Sequence, residues 1–149
     1  MTTSYKIDLD LTKEPPRSPR VRLGHFVILA RCIDKCRATL AGKAGEYEFD
    51  CELDRSLLDW KGITGDQLKA YIAEGHSDDE IEAWVRANGG SKSDAEIMQW
   101  SGRASINAYL DNPENREWLE EQFARLNLPK ETSVLFDHLD ADDKVSFKK

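Results

Sequence analysis

Long apolar runs are missing from this chain. The longest, Phe26 to Ala30, is five residues, against the ~20 that a membrane-spanning helix needs. The opening Met1-Thr2-Thr3-Ser4-Tyr5-Lys6 has no hydrophobic signal core. Export and membrane insertion are therefore not expected, and a cytoplasmic location is. Cysteine is scarce: Cys32, Cys36 and Cys51 are the three present. An odd number without a leader predicts reduced thiols and no disulfide framework. The phosphate-loop, nucleophile-elbow and H-E-x-x-H patterns are all lacking, so nothing points to those chemistries. Strand-like alternation occurs once, at Tyr47, Phe49 and Cys51. One strand cannot make a sheet, so there is room for one short extended pairing at most.

What is abundant is charge, and it is segregated. Residues 13–43 carry eight Lys/Arg against two Asp/Glu, whereas residues 44–149 carry twelve against twenty-four. A basic segment on an acidic body binds an anion, folds back on its own body, or docks on a second copy. Internal charge complementarity is the leading expectation. Within residues 1–23, Pro15, Pro16 and Pro19 exclude helix and favour an extended arm.

Helices account for most of the rest. Phe26, Leu29, Ile33, Cys36 and Leu40 share one stripe at three- and four-residue spacing, which predicts a first helix from Gly24 to Ala41. Its polar residues are Arg31, Asp34, Lys35 and Arg37, with Arg31 and Asp34 spaced to pair. A short helix over 54–60 follows. Thr64, Ser77 and Ser93 are each followed three residues later by Gln or Glu, a capping-box spacing. Those starts should feed Tyr71, Trp84 and Trp100 into one core. Asn112-Pro113 predicts a further start, with Trp118, Leu119, Phe123 and Leu126 as its apolar stripe and a Glu121–Arg125 pair outside. A last short helix is expected over 132–142, with residues 143–149 frayed or extended.

Two metal readings fail on spacing. Cys32 and Cys36 lie one turn apart, and His25 shares their stripe, but only Cys51, His76 and His138 could complete a zinc set. Structural zinc wants tight ligand pairs, whereas buried cysteine behaves as a small hydrophobe. Asp137, Asp140, Asp142 and Asp143 do not match a calcium loop, since Val145 stands where glycine belongs. No metal and no cofactor are predicted. The arginines are the better lead. Arg17, Arg20, Arg22, Arg31 and Arg37, with Lys35 and Asp34, form a candidate ligand-binding set for phosphate or carboxylate. Nucleic acid is a weaker expectation, because the body is acidic and no aromatic platform interleaves the arginines.

The chain resembles a family of uncharacterised bacterial domains, a domain of unknown function. The likeness rests on Asp10-Leu11-Thr12, Pro15 to Arg22, Leu23-Gly24, Arg31, Ile33-Asp34-Lys35, Arg37-Ala38 and Leu40-Ala41-Gly42-Lys43. It implies no activity, cofactor or catalytic set. The resemblance makes the arm and first helix the signature, and Cys32 and Cys36 stand outside its pattern.

The expected fold is mostly α. It is a compact single domain over 1–149, with five to seven helices, an arm at 1–23, a body at 24–142 and a tail at 143–149. The expected function is a non-enzymatic interaction or binding module, a homodimer through the first helix or the arm. A small-anion-binding protein or enzyme using the arginine cluster is the second reading, and nucleic-acid binding through the arm the third.

Overall fold

The computed structural model describes residues 9–107 and 113–147. Seven helices form there: α1 Leu29–Leu40, α2 Glu52–Lys61, α3 Gly65–Ala73, α4 Asp78–Ala87, α5 Asp94–Asn107, α6 Pro113–Arg125 and α7 Leu135–Ser146. Among the described residues there is no strand, only an isolated antiparallel bridge between Leu23 and Phe26. The fold is a compact, single-domain, all-α arrangement. Helix α1 packs against α2, α3 and α4, while α5 and α6 pack against α7.

The local starts follow the sequence closely. The Thr64 side chain accepts from the Gln67 N–H, and the Gln67 side chain accepts from the Thr64 N–H. Ser77 and Glu80 do the same for α4, and Ser93 and Glu96 for α5. Each pair satisfies donors that a helix start otherwise leaves unpaired. Ile63 and Leu68, five positions apart on either side of the α3 start, both enter the core. Tyr71, Trp84 and Trp100 all pack against one core, as expected, and they do so in two stacks. Tyr71 lies on Trp84 and Trp100 on Trp60, each with ring centroids 5.1 Å apart. All four are only partly buried against the core.

Helix α1 starts five residues later than its apolar stripe predicts. Leu23 and Phe26 bond to each other through their backbones, the Ile28 N–H donates to the Pro19 carbonyl, and the Val27 N–H donates to Ser101 Oγ. Those long-range bonds take the donors and acceptors a helix would use. Gly24, His25 and Ile28 all have positive φ, at 54°, 76° and 75°. For a β-branched residue such as Ile28 that is a strained conformation, costing about 1–3 kcal/mol. It persists because Ile28 is fully buried and its carbonyl accepts from Cys32 N–H. The apolar run is therefore core, as its composition demands, but its first three residues, Phe26 to Ile28, form a tight loop before α1 begins.

Three other expectations are corrected. Tyr47 to Cys51 forms turns, not an extended pairing, because no strand lies beside it and Asp50 takes φ 64° with its N–H on Asp54. Helix α7 runs to Ser146, past the expected frayed boundary, because Asp143 is buried against Arg31. Arg125 bonds to Gln122 and Asp142 rather than pairing with Glu121. Trp118 remains 43% exposed. The Asn112 cap lies outside the described residues.

Candidate functional site

Every residue of α1 from Leu29 to Ala38 is buried, including Arg31, Asp34, Lys35 and Arg37. Burying a charge is costly unless it is paired and hydrogen-bonded. The fold supplies a partner for each. Arg31 pairs with Asp143 of α7 at 2.7 Å, and Lys35 with Asp54 of α2 at 3.0 Å. Arg37 pairs with Asp78 of α4 at 2.8 Å. Asp34 receives both the backbone N–H and the guanidinium of Arg17, at 2.8 to 3.0 Å. The expected Arg31–Asp34 pair is thus replaced by two longer-range ones.

The arm completes this layer. Leu9, Leu11 and Leu23 are buried, and residues 11–14 turn rather than extend. Arg17 bridges Asp34 and Asp78. Arg20 spans Asp137 and Asp140 near the start of α7, at 2.6 and 2.7 Å. Arg22 lies exposed at the surface. The basic segment therefore neutralises its own acidic body. Of the seven candidate binding residues, Arg17 links Asp34 to the Asp78–Arg37 pair, Arg20 sits apart against α7, Arg37 also edges a small cavity beside the end of α3, and Arg31 and Lys35 together face another.

That cavity is about 570 Å³, within the size range of small-molecule sites. It lies between the arm, α1, the 45–51 turns, the start of α2, Trp118 of α6, and α7. Leu11, Leu53, Leu135, Leu139 and Phe147 supply apolar wall, and Arg31, Lys35, Tyr47, Cys51 and Asp143 supply polar floor. Glu46, Glu48 and Asp142 also line it. The Tyr47 hydroxyl donates to Asp143 at 2.6 Å, and the Arg31 guanidinium lies 5.5 Å from the Tyr47 ring centre. Burial, reinforced by that carboxylate, pushes the Tyr47 phenol well above its ordinary value, so the hydroxyl stays a neutral donor. Lys35 also contacts the Cys51 sulfur at 3.3 Å. Its burial is the largest single influence and works against the ammonium, but Asp54, Cys51 and Cys32 together outweigh it and the net shift is upward.

The cysteines divide by burial. Cys32 and Cys36 are enclosed and Cys51 is half-exposed. Burial raises the Cys36 thiol to about 12 and Cys32 well above its ordinary range. Both are inert core groups. Among the described residues, no group of three or more His, Cys, Asp or Glu is placed to hold a metal ion. No described helix is long and apolar enough to cross a membrane.

Sequence reasoning missed Asp54, Asp78 and Asp143 as the buried counter-charges, and Tyr47 as a site residue. Their only signal was the excess of acid after residue 43. Which carboxylate meets which cation depends on helix packing, and the partners lie 19 to 112 positions apart (Lys35 to Asp54, Arg31 to Asp143).

A search of the curated proteins finds no match to this sequence. A family model does match, across residues 13–145, from the arm through α7. The chain therefore belongs to the family described as a domain of unknown function, DUF5069.

Proposed function

We propose that this chain is a small-molecule-binding module, not an enzyme, and that the cavity beneath the arm is its site. The observation that carries the reading is the cavity itself. It places two buried cationic side chains at the base of apolar walls, in a volume of about 570 Å³. Convergent polar groups on an otherwise apolar concavity are the usual form of a ligand site. A non-catalytic role is supported by the pairing. Arg31 and Lys35 are each held charged by a carboxylate, whereas general acid–base work needs a group poised to change charge. The wider arginine-cluster reading has less support, because Arg17, Arg20 and Arg37 lie outside the cavity in ion pairs of their own.

Thermal-shift screening against a broad set of small organic molecules tests this. A ligand at one hundred times its Kd stabilises the fold by about 2.7 kcal/mol. The matched control is Ser146→Trp, an exposed residue on the cavity wall, where the larger ring fills the space without disturbing the core. Ligand-induced shifts in the wild type that vanish in Ser146→Trp are expected. Shifts that persist in the variant would put the ligand elsewhere, and no shift from any compound would remove the binding reading.

A further inference from the structure

The donor inventory of the cavity floor narrows the ligand. Arg31 is 3% exposed and so is Lys35. Arg31 has five N–H groups. Its Nη1 donates to the Arg17 carbonyl and to Asp143, and its Nη2 to Asp143 at a long 3.4 Å. Among the described residues nothing accepts from its Nε–H or from the second Nη2–H. Lys35 spends its ammonium on Asp54 and the Cys51 sulfur, two of three donors, and sulfur is a weak acceptor. Both side chains line the cavity. The spare donors open onto the cavity, so a molecule that enters gains by bringing an oxygen to them.

Charge sets the second limit. Each floor cation is already neutralised, Arg31 by Asp143 and Lys35 by Asp54. Around them stand Glu46, Glu48 and Asp142. Asp142 is engaged by Arg125, but among the described residues Glu46 and Glu48 form no ion pair. An anion entering here meets unmatched carboxylates and gains no unmatched cation. An ammonium finds the floor's one carboxylate, Asp143, already taken on both oxygens by Arg31 and Tyr47. The apolar walls set the third limit, favouring a hydrocarbon or aromatic body.

We infer that the cavity takes a neutral molecule with an apolar body and a hydrogen-bond-accepting head, such as an amide or ketone, whose oxygen meets Arg31 and Lys35. This inference rests on the cavity being the binding site. It differs from a simple reading of two cations in a pocket, which would favour a carboxylate or phosphate.

Four probes that share one body separate the classes: hydrocinnamamide, hydrocinnamate, phenylpropylamine and propylbenzene. Their dissociation constants are measured by NMR titration of the full chain at low salt. The amide is expected to bind at least tenfold tighter than each of the others. Hydrocinnamate binding tightest would overturn the inference in favour of an anion, and phenylpropylamine tightest would favour a cation. Propylbenzene matching the amide would show that the floor donors contribute nothing. If none of the four binds while unrelated compounds are lost in Ser146→Trp, the class is wrong and the site stands. If nothing binds at all, both readings fall. The double variant Glu46→Gln/Glu48→Gln removes two exposed charges and leaves the core intact. It should tighten hydrocinnamate several-fold relative to the amide. A ratio of the two constants that does not move would overturn the charge argument.

Discussion

Replacing Asp78 by Asn tests whether the charge layer holds this fold together. Asp78 is fully buried. One carboxylate oxygen receives Arg17 Nη1 and the other Arg37 Nη1, both at 2.8 Å. Asparagine keeps the shape and deletes the charge, leaving two guanidinium groups facing an amide. Removing one partner of a buried pair typically costs about 3–5 kcal/mol, because the other charge is stranded. The two arginines do not share this loss equally. Arg17 is 23% exposed and keeps Asp34, so its share is small. Arg37 is 6% exposed and keeps the His76 carbonyl among its contacts, so most of the loss falls there. Asp78 also lies in the first turn of α4, where a carboxylate adds about 0.3–1 kcal/mol. A loss of about 3–4 kcal/mol follows, a large part of the 5–15 kcal/mol typical of a domain. At roughly 2–4 °C per kcal/mol for a chain this long, Tm should fall by roughly 10 °C. Urea unfolding at neutral pH reads the same quantity as a lower midpoint at unchanged slope. The charge-free pair Arg37→Met/Asp78→Leu should recover part of the loss, since removing both partners strands nothing on Arg37. A loss below about 1 kcal/mol in Asp78→Asn would refute the reasoning, as it would mean that water reaches these groups.

Two further outcomes are expected. His138 is 5% exposed and its Nδ1 has no partner among the described residues; burial holds its pKa below the ordinary 6.5. The unfolded chain therefore takes up that proton first as pH falls, so stability should drop as pH falls through about 6.5 and below. Tm measured from pH ~7.5 to ~5.5 should show that slope, and His138→Gln should flatten it; an equal slope in the variant would assign the effect to other groups. For the cysteines, a thiol reagent on the folded chain should modify one group, Cys51, with Cys32 and Cys36 reacting only on unfolding, because both are fully buried. Cys51→Ser should abolish the fast phase, and two or three thiols reacting together would contradict the packing of α1.

Features decided within a few residues were the legible ones. Thr64, Ser77 and Ser93 announce helices because the groups that cap them sit three positions away. The start of α1 was not legible, because Pro19 and Ser101 decide it through bonds to Ile28 and Val27. Periodicity reported correctly that Phe26 to Ala30 is buried but could not report a backbone conformation imposed from outside. The charge layer was legible as a total and not as pairs. An excess of base before residue 44 and of acid after it says that the two attract. It does not say that Arg31 would pass over Asp34, three residues away, for Asp143. Asp34 is occupied because Arg17 delivers two kinds of donor, a backbone N–H and a guanidinium, to the same carboxylate. The cavity was illegible for the same reason, since Leu11, Arg31, Tyr47, Trp118 and Phe147 meet only after α7 docks.

That double contact at Asp34 bears on what the charge layer does beyond stability. Buried ion pairs contribute little net stability compared with apolar side chains of the same volume, because desolvation offsets the attraction. Their geometry is directional, however, and here it fixes register. The backbone N–H of Arg17 reaches Asp34 only at one alignment of the arm along α1, and the same alignment lets Arg17 reach Asp78 and Arg20 reach Asp137 and Asp140. A slip of the arm by one residue would break all of these together. A uniformly apolar arm would tolerate such a slip, since hydrophobic contact has no comparable direction. Register matters because the arm also builds the cavity. Leu11 and Thr12 line it, and Leu11 is tied to the Lys43 carbonyl through its backbone N–H. The charges buried along α1 therefore set where the arm lies, and the arm in turn sets one wall of the space in front of Arg31 and Lys35.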